Sequence, residues 1–213
     1  MKNLIIIGAS DWGIEVFSWL DHLSQFNREW KFKGFLDDNL GALDGKKGVG
    51  SLRVLDTIIA YEIQLNDVFI CAIANPIIKE KLVEIINRKG GEFINLIHPS
   101  VIFYKNNSIG VGNIICPYTV ISNSVCLGNH IGINIGVSIG HDVEIGDFCQ
   151  ISSQCDLTGY VKLDKCVFLG SSVSIKPKVK VGANSYLGVG SIVLRNIKEN
   201  SKVFGNPAKK ITL

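Results

Sequence analysis

Ile, Leu or Val occupies every sixth position of the chain from Ile109 to Val193, fifteen positions in succession. Neither an α-helix nor a half-buried strand produces this period, because their side chains repeat every 3.6 and 2 residues. Gly follows the apolar residue at positions 110, 128, 140, 146, 170, 182 and 188. Four residues after it comes a second apolar or small residue, from Val125 through Cys149 and Cys155 to Ser185. A six-residue repeat marks a parallel β-helix. Each hexad supplies one short flat side and one corner, the repeated apolar side chain points inward, and Gly relieves crowding at the turn. Three hexads close a triangular coil. Coils stacked at the strand spacing predict a prism about 20–25 Å tall. After Val193 the repeat stops, and the stretch from Phe204 through Gly205, Asn206 and Pro207 to Ile211 reads as a closing segment.

Residues 1–98 follow another grammar. Leu4 to Gly8 is a continuous apolar run, as expected of a strand buried on both faces. A helical stretch follows to about His22, then a strand over Lys31 to Leu36 that ends at Asp37 and Asp38. The pattern predicts a short helix over Val54 to Tyr61 and a strand over Val68 to Ile73. It also predicts a helix over Pro76 to Lys89, with Pro76 in its first turn, and a last strand over Phe93 to Ile97. Alternating strands and helices argue for a small parallel sheet with helices on its faces. The expected division is 1–98 for this α/β domain and 99–213 for the solenoid.

Composition excludes several classes. No apolar run in the 213 residues reaches the roughly 18 needed to span a bilayer. The opening MKNLIIIGA is too short for a signal peptide and reads as a first strand, which places the protein in the cytoplasm. The net charge is +3, with no basic cluster interleaved with aromatics, so nucleic acid is not an expected partner. Six cysteines contain no C-x-x-C pair, so neither a metal site nor a redox motif is expected.

In this order, several segments resemble the bacterial sugar acetyltransferases that join a Rossmann-like domain to a left-handed β-helix, the PglD and NeuD types. They are Ile6-Ile7-Gly8-Ala9-Ser10, Phe35-Leu36-Asp37-Asp38, Asn95-Leu96-Ile97-His98, Ile139-Gly140-His141-Asp142 and Gly205-Asn206-Pro207-Ala208-Lys209. The resemblance implies left-handed coiling, homotrimeric assembly with active sites between subunits, and acetyl-CoA as co-substrate. It also implies a nucleotide-linked amino sugar as acceptor.

Acetyl transfer to an amine needs a base that removes a proton as nitrogen attacks the thioester, and histidine suits this near neutral pH. The chain has His22, His98, His130 and His141. His22 reads as a surface residue and His98 as a structural one, while His130 and His141 both lie near solenoid corners. The resemblance selects His141, with Asp142 as the carboxylate that orients it. It places Asn134 near the acceptor sugar. At Gln150 some relatives carry a histidine that contacts the acetyl group; Gln can still donate one hydrogen bond to a carbonyl oxygen, or a backbone N–H can serve. Coenzyme A is expected along the groove between solenoids, against Gly170, Ser171, Gly188 and Val189, with Lys209 near its phosphates. In the first half, Gly8-Ala9-Ser10 precedes a helix N-terminus, which favours phosphate. Ser10, Asp11, Trp12, Asp37, Asp38, Ala74 and Asn75 are the candidate nucleotide and sugar contacts. Asp11, an acid that would repel pyrophosphate, is expected to cap the helix.

The leading expectation is an N-acetyltransferase acting on the 4-amino group of a nucleotide-linked 4-amino-4,6-dideoxyhexose, for surface glycans, without a covalent acyl-enzyme. Two other readings are O-acetylation of a sialic acid and a non-catalytic solenoid that binds or supports.

Overall fold

The computed structural model describes residues 1–50 and 52–211. Its first part is a five-stranded parallel sheet. The strands are β1 (Lys2–Ile7), β2 (Trp30–Leu36), β3 (Val54–Asp56), β4 (Asp67–Cys71) and β5 (Glu92–Phe93), arranged β3-β2-β1-β4-β5. Helices α1 (Asp11–Ser18) and α2 (Pro76–Arg88) are the connections that close this sheet. Every residue of β4 is buried, as the near-continuous apolar strands of a covered parallel sheet require.

Two glycines fix the turn from β1 into α1. Gly8 has φ +99°, and a Cβ on it would stand 2.9 Å from the Ala72 carbonyl oxygen. A Cβ on Gly13 would stand 1.9 Å from the Gly8 carbonyl oxygen, so only glycine lets the helix lie on the loop. The helix expected over Val54 to Tyr61 is instead the edge strand β3 followed by a turn. Val54 and Asp56 pair with Phe35 and Leu36, so an open sheet edge outweighed helical spacing in a stretch too short for a stable helix.

The second part is the parallel β-helix. Its first face runs from Leu96–Ile97 to Lys202–Phe204 in seven parallel rungs, with Lys209–Lys210 added antiparallel at the end. The second face has six rungs, Ile102–Phe103 to Ile192–Val193, and the third has five, Ser108–Ile109 to Lys180–Val181. The coil is longer than the fifteen-position run because it extends at both ends. Ile97 and Phe103 continue the six-residue register backwards, so Leu96–Ile97 belongs to the solenoid rather than to a last strand of the α/β sheet. At the other end the last coil is two residues shorter: Val181 pairs with Ile197, and Leu187 with Val203.

Each corner repeats one conformation. From Asn106 to Gly190 one residue in every six has φ between 55° and 73°, fifteen in all, and only Gly112, Gly136 and Gly190 among them are glycine. A non-glycine residue there costs about 1–2 kcal/mol. A hydrogen bond to the coil below offsets it; the N–H of His130, Asp142 and Tyr160, for example, donates to the carbonyls of Val111, Asn123 and His141. The repeat's own glycines do a different job. A Cβ on Gly140, Gly146 or Gly170 would stand 2.8, 2.8 or 2.6 Å from a backbone nitrogen of the neighbouring coil, so these glycines permit close stacking.

Candidate functional site

The solenoid has three corners, and the candidate residues divide between two of them. The corner between the first and second faces carries Asn134, Gly170, Ser171, Gly188 and Val189, which are spaced along it by the eighteen-residue coil. Gln150 lies on the first face itself, paired in register with Gly132 and Phe168. His141 and Asp142 stand at the next corner, between the second and third faces. One chain therefore does not bring the candidate base and the candidate coenzyme contacts together.

At the second corner, Asp142 takes the left-handed conformation, φ 58°, and its carboxylate turns back to the preceding residue. His141 Nδ1 lies 2.8 Å from Asp142 Oδ2. A carboxylate only accepts, so Nδ1 carries the proton and Nε2 of the neutral ring keeps a free lone pair. The imidazole is 55% exposed, and the Tyr160 ring packs edge-on at 5.1 Å between centroids. Nε2 lies over Gly159: a Cβ there would stand 2.7 Å from it. The Gly159 N–H donates to nothing among the described residues. The N–H groups of Lys105, Val111 and Asn129, at this point of earlier coils, are capped by a side chain one coil on; one coil beyond Gly159 stands Pro177, which has no side-chain acceptor. Gly159 and Tyr160 have no reactive chemistry of their own to mark them in the sequence; the eighteen-residue coil length, which sets them one rung above His141, is the signal that points to them.

His130, the other corner histidine, is not placed to act outside. It is 6% exposed at the third corner, stacked on Phe148 and edge-on to Phe93. Desolvation, then the nearby Lys79, pushes its pKa down to about 4, so the ring is neutral and serves as core. His98 bonds through Nε2 to His22 Nδ1 at 2.8 Å and through Nδ1 to Ser100, a structural joint between the two parts of the chain.

In the α/β part, the loops after β1 and β4 meet where the strand order reverses. In open parallel sheets, ligands bind in the crevice at this switch point. Ser10, Ala74 and Asn75 are exposed there. Asp37 Oδ2 accepts from Ala9 N–H at 2.8 Å and Oδ1 from Asn39 N–H, so this acid shapes the loop as well as lining it. Asp38 Oδ1 accepts from Ile58 N–H. Asn75 caps α2 through Oδ1, to the N–H groups of Ile77 and Ile78. The expected cap at Asp11 is not formed: Ser10 occupies the N-cap position without a side-chain bond, and Asp11, one residue inside the helix, pairs with Lys46 at 2.5 Å. Trp12 folds onto the solenoid, where a Cβ on Gly132 would stand 2.7 Å from its ring. Gln150 is 3% exposed and accepts a hydrogen bond from Lys79 Nζ at 3.0 Å. At the closing end, the Phe204 ring covers Gly188, and Lys209 is exposed on the antiparallel strand. Among the described residues, no cluster of three His, Cys, Asp or Glu could hold a metal ion, and no helix is long and apolar enough to cross a membrane.

Comparison with known proteins extends this picture. Residues 3–86 match the model of the PglD N-terminal domain. The chain is 33% identical over 183 residues to the GDP-perosamine N-acetyltransferase of Escherichia coli O157:H7, covering 83% of this chain and 81% of that protein. PerB from Caulobacter crescentus, solved with CoA and GDP-perosamine, superimposes with a TM-score of 0.88 at 22% identity over 100% of this chain and 98% of that one. The acetyltransferase domain of PglB from Neisseria gonorrhoeae, solved with acetyl coenzyme A, gives 0.87 at 22% identity over 99% of each chain. These likenesses fix the coil as the left-handed β-helix of acetyltransferases. The chain belongs to the PglD-type family of acetyl-CoA-dependent sugar acetyltransferases, enzymes that join a Rossmann-like domain to a left-handed β-helix.

Proposed function

We propose that this protein transfers acetyl from acetyl-CoA to the 4-amino group of a GDP-linked 4-amino-4,6-dideoxyhexose, with His141 as general base. The observation that carries this reading is the His141–Asp142 pair, with Nδ1 tied, Nε2 free and the ring exposed, in a chain one-third identical to a GDP-perosamine N-acetyltransferase.

The acceptor lies in the crevice beyond β1 and β4, near Ser10, Trp12 and Asn75, with Asp37 and Asp38 at its nucleoside end. Its amino group reaches the His141 corner of a neighbouring subunit in a homotrimer. Coenzyme A runs along the corner of Gly170, Ser171, Gly188 and Val189, with Lys209 near its phosphates and Asn134, lower on the same corner, toward the acceptor sugar. The separation of these two corners within one chain supports an active site completed by a second copy.

In the reaction, the sugar nitrogen attacks the thioester carbonyl carbon and His141 Nε2 takes its proton. The C–N bond forms, the C–S bond breaks, and the proton passes to the departing thiolate. The unpartnered Gly159 N–H beside Nε2 is suited to the developing oxyanion, where a donor is worth about 10²–10³ in rate. Acetyl-CoA and nucleotide sugars are cytoplasmic metabolites, which favours that compartment and a role in building surface glycans.

The test is thiol release from acetyl-CoA with GDP-, UDP- and dTDP-linked 4-amino sugars, with His141→Ala alongside. Turnover of GDP-perosamine that the variant loses is the expected result. Release with none of the acceptors sinks the reading.

A further inference from the structure

Lys79 sits in the first turns of α2 and is 1% exposed, in the seam between the two parts of the molecule. A buried ammonium is costly unless an anion balances it. None does here. Its Nζ donates to Gln150 Oε1 at 3.0 Å and more weakly to the Cys149 carbonyl at 3.5 Å, and lies 5.7 Å from the centroid of the Trp12 ring. The thiols that face it stay protonated, since burial pushes Cys71 and Cys149 up to about 12 and Cys166 up to about 11. His130 is neutral, and the acid next in sequence, Glu80, reaches instead to Lys165 and Cys166. Burial brings Lys79 itself down from 10.5 to about 8, so it is mostly charged at neutral pH.

An ammonium has three donors and no acceptor, so it admits only the oxygen end of the Gln150 carboxamide. That removes the ambiguity of an amide free to flip. The other end, Nε2, donates to nothing among the described residues, yet it is not among the sealed, unpartnered atoms, which are Trp12 Nε1, Trp19 Nε1 and His130 Nδ1. The Oε1 end lies against Gly132 next to the Trp12 ring, and Gln150 Nε2 is thus a donor held in one orientation at the opposite end of the amide, not sealed within the seam.

We propose that Lys79 is a positioning residue for acyl transfer: by donating to Gln150 Oε1 it fixes the carboxamide so that Nε2 serves as a permanent hydrogen-bond donor to an acceptor oxygen of the bound substrates. This rests on the acetyl-transfer reading. Lys79 touches no substrate and acts only through Gln150.

The test is a double-mutant cycle on the full-length protein, with kcat and KM for acetyl-CoA and GDP-perosamine and melting curves for each variant. Lys79→Met lowers kcat about 10-fold in the native background and has no further effect once Gln150→Ala is present. Its melting temperature holds or rises, because an apolar side chain replaces an unbalanced charge. Gln150→Glu raises the melting temperature by pairing with Lys79, and lowers kcat at least about 10-fold because an acceptor replaces the donor. Equal losses from Lys79→Met in both backgrounds overturn the proposal, as does full activity of Gln150→Glu. If Lys79→Met does not fold, Gln150→Glu decides alone, since it keeps the lysine. If the wild type turns over no acceptor, the acetyl-transfer reading fails first. An unchanged melt of Gln150→Glu then removes the Lys79 pairing as well.

Discussion

The α/β part and the solenoid reach stability by opposite routes. In the solenoid a coil touches only its neighbours, and one rule recurs every six residues. Fifteen corners share the left-handed conformation, filled by Ser, Asp, Phe, Tyr, Cys, Lys and others as readily as by Gly. No single corner residue is indispensable to the coil, so a corner can carry chemistry: His141 is 55% exposed and its contacts are with Asp142 and Tyr160 rather than the core. In the α/β part, single residues are decisive. Gly8 and Gly13 touch each other's backbone, and Asp37 ties the same loop from the next strand. Substitution is therefore tolerated at the solenoid corners and tightly restricted at the turn from β1 into α1.

His141→Ala is the strongest test of that freedom. It is expected to lower kcat by about 10²–10⁴ while leaving the melting temperature unchanged. A parallel fall in stability would make the exposed corner structural after all.

The seam between the parts should respond to acid. His130 titrates near 4 when folded, against 6.5 for an ordinary histidine. The unfolded chain binds a proton first as pH falls, so stability is intact above about 6.5 and is lost progressively from there down to about 4. The loss amounts to about 3 kcal/mol at most. Melting curves between pH 7 and 4 should show it, and His130→Leu should flatten the slope. Lys79 acts at the other end of the scale. Its folded value of about 8 lies below 10.5, so the unfolded chain holds its proton longer. Stability therefore rises with pH between those values, and Lys79→Met should abolish that rise.

Glycine substitutions measure the contrast between the two halves directly. Gly13→Ala forces a Cβ against the Gly8 carbonyl and should cost about 1–3 kcal/mol. Gly190→Ala, at φ +68° with open space around it, should cost about 1 kcal/mol. Urea denaturation of both variants decides; equal losses would erase the distinction drawn between the two parts.

Much of this was legible in one dimension. The six-residue period gave the coil, the register of its core and the corner position of His141, because a solenoid turns sequence distance into spatial distance at a fixed rate. The Gly8 to Gly13 spacing, and acids at the end of β2, pointed to the switch-point crevice. The short β3 escaped because an edge strand is defined by its neighbour, here Phe35 and Leu36, rather than by its own pattern. His130 and His141 look alike as corner residues; only the packing of Phe93 and Phe148 buries the first.

Period and local pattern along the chain specify the two-part architecture, the coil and a histidine with a carboxylate beside it. The tertiary structure decided which corner each candidate occupies, which histidine meets solvent, and that Lys79 meets Gln150 seventy-one residues away. The two kinds of information differ in range. Periodicity and turn chemistry are set by neighbours along the chain, whereas burial, charge balance and the orientation of an amide are set by whichever distant element folds against it.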